Sequence, residues 1–222
     1  MSGRVPERRA QRRLALLKAA FREVAEKGFA DVTLDDIARR ASVSKGVTLY
    51  YFSSKEDLFR RLFAWLVDSI HERMREAVSS AGGSAERVHA LVAITFPSPS
   101  KNRAFFRAFV DFCGLAARRD GFREVMERFY RGCREIDREI VRNGMRRGDF
   151  AVRDVDAAAS TVRAIFDGLM MQWLAESDLE GSFSTYRERC ELQLLRYLGA
   201  GSDPLRGSDP ATKEAAVESP AS

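Results

Sequence analysis

Between Thr33 and Lys55 the chain gathers side chains that bind anions and the edges of planar heterocycles: Ser44, Lys45, Thr48, Tyr50, Tyr51 and Lys55, around Gly46 and Val47. Hydroxyl, phenol and ammonium groups with no general base among them do not make a nucleophilic centre. They make a surface suited to phosphate oxygens and base edges. Lys45 and Lys55 each fall in the first turn of a predicted helix, where the macrodipole disfavours a cation. An anion in front of the helix removes that conflict, and a DNA phosphate is one. Gly46, inside a short helix, costs about 1 kcal/mol relative to alanine and permits close backbone approach to a partner. Taken singly, each residue fits an ordinary surface helix equally well; together, at this spacing, they point to DNA.

The elements that must position these groups are legible around them. Thr33 is an N-cap with Asp36 as capping-box partner, and Ile37, Ala38 and Ala41 form the buried side of a helix from Leu34 to about Ala41. After the Ser42-Val43 turn, Ser44 caps a second helix running to about Tyr51, and Ser54, with Asp57 at the third position, caps a long third helix reaching Ser79. This is a helix-turn-helix, whose second helix enters the major groove by its N-terminal residues. Thr33, Ser44, Lys45, Gly46, Val47, Thr48, Tyr50, Tyr51 and Lys55 are the candidate DNA-binding residues. Lys45 and Thr48 are expected at base edges. Lys55, Tyr50, Tyr51 and the arginines of a basic arm (Arg4, Arg8, Arg9, Arg12, Arg13) are expected on phosphate.

The segment resembles the DNA-binding domain of the TetR family of transcriptional regulators. The family pattern is matched at Thr33, Ile37, Ala38, Ala41, Val43, Ser44, Gly46, Tyr51, Phe52, Lys55 and Leu58, while Ser42 replaces the usual turn glycine, Thr48 a leucine and Leu49 a tyrosine that commonly contacts phosphate. The resemblance implies an all-α chain of about nine helices that binds a double-stranded DNA operator as a homodimer and answers to a small-molecule effector. It also implies that the last two helices pair with their symmetry mates in a four-helix bundle.

Charge agrees with a DNA-binding end. The chain of 222 residues carries +5 overall, yet up to Arg61 it holds 14 Lys/Arg against 8 Asp/Glu, and beyond it 23 against 24. The excess positive charge therefore lies in the first quarter. No apolar run approaches the ~20 residues of a membrane span, and no signal peptide opens the chain. Cys113, Cys133 and Cys190 are odd in number and widely spaced, so a disulfide framework is not expected and a reducing cytoplasm is. With His71 and His89 the only histidines, no zinc site is expected, and no cofactor. A Gly-rich phosphate loop after a strand and a nucleophile elbow are both missing, which argues against an enzyme.

Helical periodicity continues to Leu198. A first helix is striped by Leu14, Leu17, Phe21 and Val24 and ended by Gly28. Breaks at Ala81–Ser84 and Pro97–Ser100 separate helices over about 85–95, 101–118, 121–147, 154–176 and 182–198. The expected division is a DNA-binding domain over 1–54, a ligand-binding and dimerisation domain over 55–198, and a disordered Gly/Ser/Pro/Ala-rich tail over 199–222. Phe105, Phe109, Phe112, Met126, Phe129, Phe166 and Met170 are the candidate ligand-binding residues, with Arg103 or Arg107 as anchors for an anion and Asp111 or Asp167 for a cation. A phenylalanine stripe serves equally as core. The helix near Val162–Leu174 is apolar around too much of its circumference for one buried stripe, so Ile165, Leu169, Trp173, Leu194 and Leu198 are the candidate dimer contacts. The leading expectation is a repressor released by a lipophilic molecule. An activator, a ligand-independent regulator, and a helical scaffold with vestigial DNA binding are the alternatives.

Overall fold

The computed structural model describes residues 4–200, so the tail expected to be disordered lies, beyond Ala200, outside the described residues. These residues form nine α-helices and no strand: α1 (Arg4–Lys27), α2 (Leu34–Arg40), α3 (Lys45–Tyr51), α4 (Lys55–Ser79), α5 (Ser84–Thr95), α6 (Pro99–Ala116), α7 (Asp120–Arg147), α8 (Val155–Leu174) and α9 (Phe183–Leu198).

Local chemistry sets the boundaries of the DNA-binding end. The Thr33 hydroxyl accepts from the Asp36 amide at 3.1 Å, while Asp36 Oδ2 accepts from the Thr33 amide at 3.0 Å, a complete capping box at the start of α2. Ser44 Oγ accepts from the Val47 amide at 3.3 Å and Ser54 Oγ from the Asp57 amide at 3.0 Å, so α3 and α4 each start at a serine cap. Ser42 carries the turn between α2 and α3 at φ 55°, the left-handed region in which the family places glycine. A non-glycine residue there costs about 1–2 kcal/mol. Two boundaries differ from the periodicity. Pro99 opens α6 under a Ser98 cap instead of belonging to a break, because a proline at the first helical position gives up only an amide that has no intrahelical acceptor. The basic arm is itself helical, since α1 begins at Arg4.

Packing joins the two ends of the molecule. Helix α1 lies against α2, α4 and α6, and α4 against α5 and α7. With 25 residues, α4 is roughly 37 Å long and runs from beside α3 into the middle of the helical body. Three contacts fix the turn after α1. Phe29 stacks on Phe59 of α4 with centroids 4.5 Å apart. The Phe29 amide donates to Asp111 Oδ2 of α6 at 2.7 Å. Lys55 Nζ donates to the Ala30 carbonyl at 2.9 Å and sits 4.5 Å over the Phe29 ring. Beneath them Phe63 and Phe112 stack at 3.8 Å, with Phe59 and Phe122 at 5.8 and 5.1 Å from Phe112. Among the described residues no helix is long and apolar enough to cross a membrane.

Candidate DNA-binding face and ligand cavity

Helix α3 turns Ser44, Lys45, Gly46, Leu49 and Tyr50 outward. Lys45 pairs with Asp35 at 2.7 Å across an exposed surface, an interaction weak enough to be exchanged for a phosphate. A Cβ on Gly46 would meet nothing closer than Ser44 Oγ at 3.8 Å, so packing within the chain does not demand glycine there. Arg9 lies 5.3 Å over the Tyr50 ring, and Arg8, Arg9 and Arg12 line a groove with Ser42, Tyr50 and Tyr51. Thr33 and Ser44 serve as caps, and Val47 is half-buried.

One expectation for this face needs correction. Thr48, expected at base edges, is 0% exposed, and its hydroxyl has no partner. It fills the inward position that a leucine commonly occupies. Lys55, expected on phosphate, has its ammonium bound to Ala30 and the Phe29 ring. A cation in the first turn of a helix is thus accommodated within the chain, by a carbonyl and a ring face.

In the helical body a cavity of about 440 Å³ lies between α4, α5, α6, α7 and α8, and Phe21 of α1 completes its wall. Phe105, Phe129, Phe166 and Met170 line it, as expected of ligand contacts. Phe109, Phe112 and Met126 do not. Phe112 belongs to the stack on Phe63, Phe109 packs edge-on to Phe129 at 5.4 Å, and Met126 lies in a separate surface groove beside Tyr130. Trp65, Ile70, Met74 and Phe106 also line the cavity and had no distinguishing signal. Of the four candidate anchors, Arg103 and Arg107 line a surface groove beside α1, Asp111 holds the Phe29 amide, and Asp167 alone faces the cavity.

The cavity floor is a buried charge cluster. Arg163 Nε and Nη2 each donate to Asp137 at 3.2 Å, and the guanidinium lies 5.0 Å over Phe166. Asp167, one turn further along α8, lies beside Tyr130. Burial pushes the carboxyls of Asp137 and Asp167 up, and Arg163 opposes the rise in both. Asp137 is occupied by Arg163, and Arg73 and Lys101 line the cavity together with Asp167. Asn102, buried in the same wall, donates from Nδ2 to the Thr95 carbonyl at 2.8 Å, and its Oδ1 has no partner. Burial also pushes the thiols of Cys113, Cys133 and Cys190 up to about 11, 12 and 12, which keeps them protonated at neutral pH.

Four of the five dimer contacts also need correction. Leu169, Trp173, Leu194 and Leu198 are buried within the chain's own core, where Trp173 Nε1 donates to the Leu179 carbonyl at 3.0 Å, and Ile165 packs half-buried against the same core. The outward side of α8 and α9 instead carries Ala164, Gly168, Met171 and Leu192, the last two 39% and 48% exposed.

Residues 16–62 match a family model described as bacterial regulatory proteins, tetR family, and residues 84–200 one described as BetI-type transcriptional repressor, C-terminal. The chain is 30% identical over 161 residues to the HTH-type transcriptional regulator BetI of Agrobacterium fabrum, a match covering 72% of this chain and 76% of that one. It is 31% identical over 115 residues to BetI of Rhizobium meliloti, covering 52% of this chain and 57% of that one. A putative transcriptional regulator from Saccharomonospora viridis, solved in complex with choline, shares the fold with a TM-score of 0.76 at 22% identity, over 84% of this chain and 96% of that one.

Proposed function

Because the chain belongs to the TetR family of transcriptional regulators, DNA-binding factors and not enzymes, we propose that it is a homodimeric repressor released from a palindromic operator by a lipophilic cation. The observation that carries this reading is the cavity, walled by α4 and by Phe21 of α1. A molecule lodged there touches the helix that leads out of the helix-turn-helix and the helix that supports it.

Asp167 argues for a cation, since it is the candidate anchor that faces the cavity and Asp137 already occupies Arg163. The Saccharomonospora viridis regulator holds choline, itself a cation. The outward face of α8 and α9 suits a second copy, because small residues at Ala164 and Gly168 allow close helix approach beside Met171 and Leu192. Two-fold pairing would set two α3 helices against successive major grooves, about 34–36 Å apart. On the DNA, Lys45 and Leu49 face the bases, with Tyr50, Arg8, Arg9 and Arg12 on phosphate.

Fluorescence anisotropy on DNA from upstream of the gene tests the reading, with lipophilic ammonium and fatty acyl compounds as competitors. Release by the ammonium series alone is the expected result. Release by acyl anions alone would remove Asp167 from the account, and a response to neither would leave a regulator without this effector class.

A further inference from the structure

The cavity carries charges that a lipophilic cation alone does not answer. Its charged lining consists of Arg73 of α4, Lys101 of α6, and Arg163 and Asp167 of α8. Arg163 is buried and already held by Asp137 at 3.2 Å. Arg73 and Lys101 are exposed, and among the described residues neither is in an ion pair. Asp167 is half-buried. The lining is thus graded: two unpaired cations at the mouth, aromatic walls that include Trp65, Phe105, Phe106 and Phe166, and a carboxylate at the floor.

The cavity is also long. On α4 its lining runs from Trp65 to Met74, ~13 Å along the helix axis. A bare lipophilic cation brings a further positive charge to a site whose mouth already holds two, and like charges repel. An anionic group on the same molecule reverses the sign of that interaction. Placed at the mouth, it stays in contact with water and escapes the desolvation it would meet among the aromatic walls. Arginine and lysine both suit carboxylate or phosphate oxygens.

Resting on the cation reading above, we propose that the cavity takes an elongated zwitterion, its ammonium at Asp167 and its carboxylate, or another anionic group, held at the mouth by Arg73 and Lys101. Those two residues then separate a zwitterion from a cation with the same body, and Asp167 separates either from an anion.

Calorimetry on the full chain tests this with 4-phenylbutylammonium, 4-butylbenzoate and 4-(4-ammoniobutyl)benzoate, which share one skeleton. The wild-type protein should bind the zwitterion about 3- to 10-fold more tightly than the cation, the range of one or two exposed ion pairs. Arg73→Gln combined with Lys101→Gln should bring that ratio to one or below and leave the cation bound as tightly or more so. Both positions are exposed, so the variant keeps its fold. A cation that binds the wild-type protein as tightly as the zwitterion, or a ratio that survives the double substitution, overturns the role of the mouth. If Asp167→Asn still weakens the cation, the cation reading survives that failure. Tightest binding of 4-butylbenzoate, or binding of none of the three, overturns both.

Discussion

Valine in place of Thr48 would keep the shape of the side chain and delete a buried hydroxyl that has no partner. Since an unsatisfied buried donor costs about 1–3 kcal/mol, Thr48→Val should raise stability to urea by about 1 kcal/mol and leave the ranking of operator variants unchanged. A reordered ranking would return this residue to the DNA. Leu49 points outward from α3 and offers apolar contact alone, which on a base edge means the thymine methyl. Leu49→Ala should therefore weaken binding chiefly to operators with thymine at one position per half-site, by about 1 kcal/mol, as a randomised operator library would reveal. If Asp167 anchors the proposed cation, ligand binding depends on pH. Tyr130, Cys133 and Asp137 of α7, Cys113 of α6 and Arg163 of α8 surround it, with Arg73 and Lys101 on the cavity rim, and burial holds its carboxyl above the ordinary range. A protonated Asp167 cannot pair with a cation, so affinity should rise with pH from about 4 and level off above the raised value. Asp167→Asn should flatten the profile, and an unchanged slope would place the titrating group elsewhere.

Helices α2 to α4 were readable because their boundaries depend on single residues: a threonine and an aspartate three apart, serines before apolar stripes, a turn whose conformation the chain adopts even without glycine. Helix α8 was not readable in the same way. Its apolar residues surround the axis, and composition cannot say which side meets the core. Trp173 and Met171, two residues apart, have opposite fates. The same ambiguity separates Phe105 in the cavity from Phe109 and Phe112 in the packed aromatic stack, since all three lie on one helix in an equally apolar context. The corrected face of α8 and α9 can be tested. Gly168→Arg or Leu192→Glu should yield a folded monomer in sedimentation, because both positions look outward. Trp173→Ala should instead lower stability by about 3–5 kcal/mol through a core cavity. A Gly168→Arg protein that still sediments as a dimer would move the interface off these helices.

Across the whole molecule, the DNA end and the cavity are linked through α4 and through the Asp111–Phe29 hydrogen bond between α6 and the turn after α1. If about six phosphates are neutralised, log K for the operator should fall with log salt at a slope near −5. Coupling is reciprocal: a ligand that weakens DNA binding roughly 100-fold must itself bind that much more weakly to the DNA complex. Asp111→Ala leaves the cavity lining intact, so it should reduce this factor to roughly 10-fold or less while changing ligand affinity of the free protein little. Titrations with and without operator measure both quantities, and an unchanged factor would assign the coupling to α4 alone. Phe21 adds something different. It belongs to α1, within the stretch of residues 16–62 shared with the DNA-binding family model, yet it forms part of the cavity wall. Anyone grafting this sensor onto a foreign DNA-reading module at the end of α3 would therefore replace a piece of the receptor along with the reader. A biosensor built that way inherits a cavity with one wall from another protein, and the transferable unit has to include the face of α1 around Phe21.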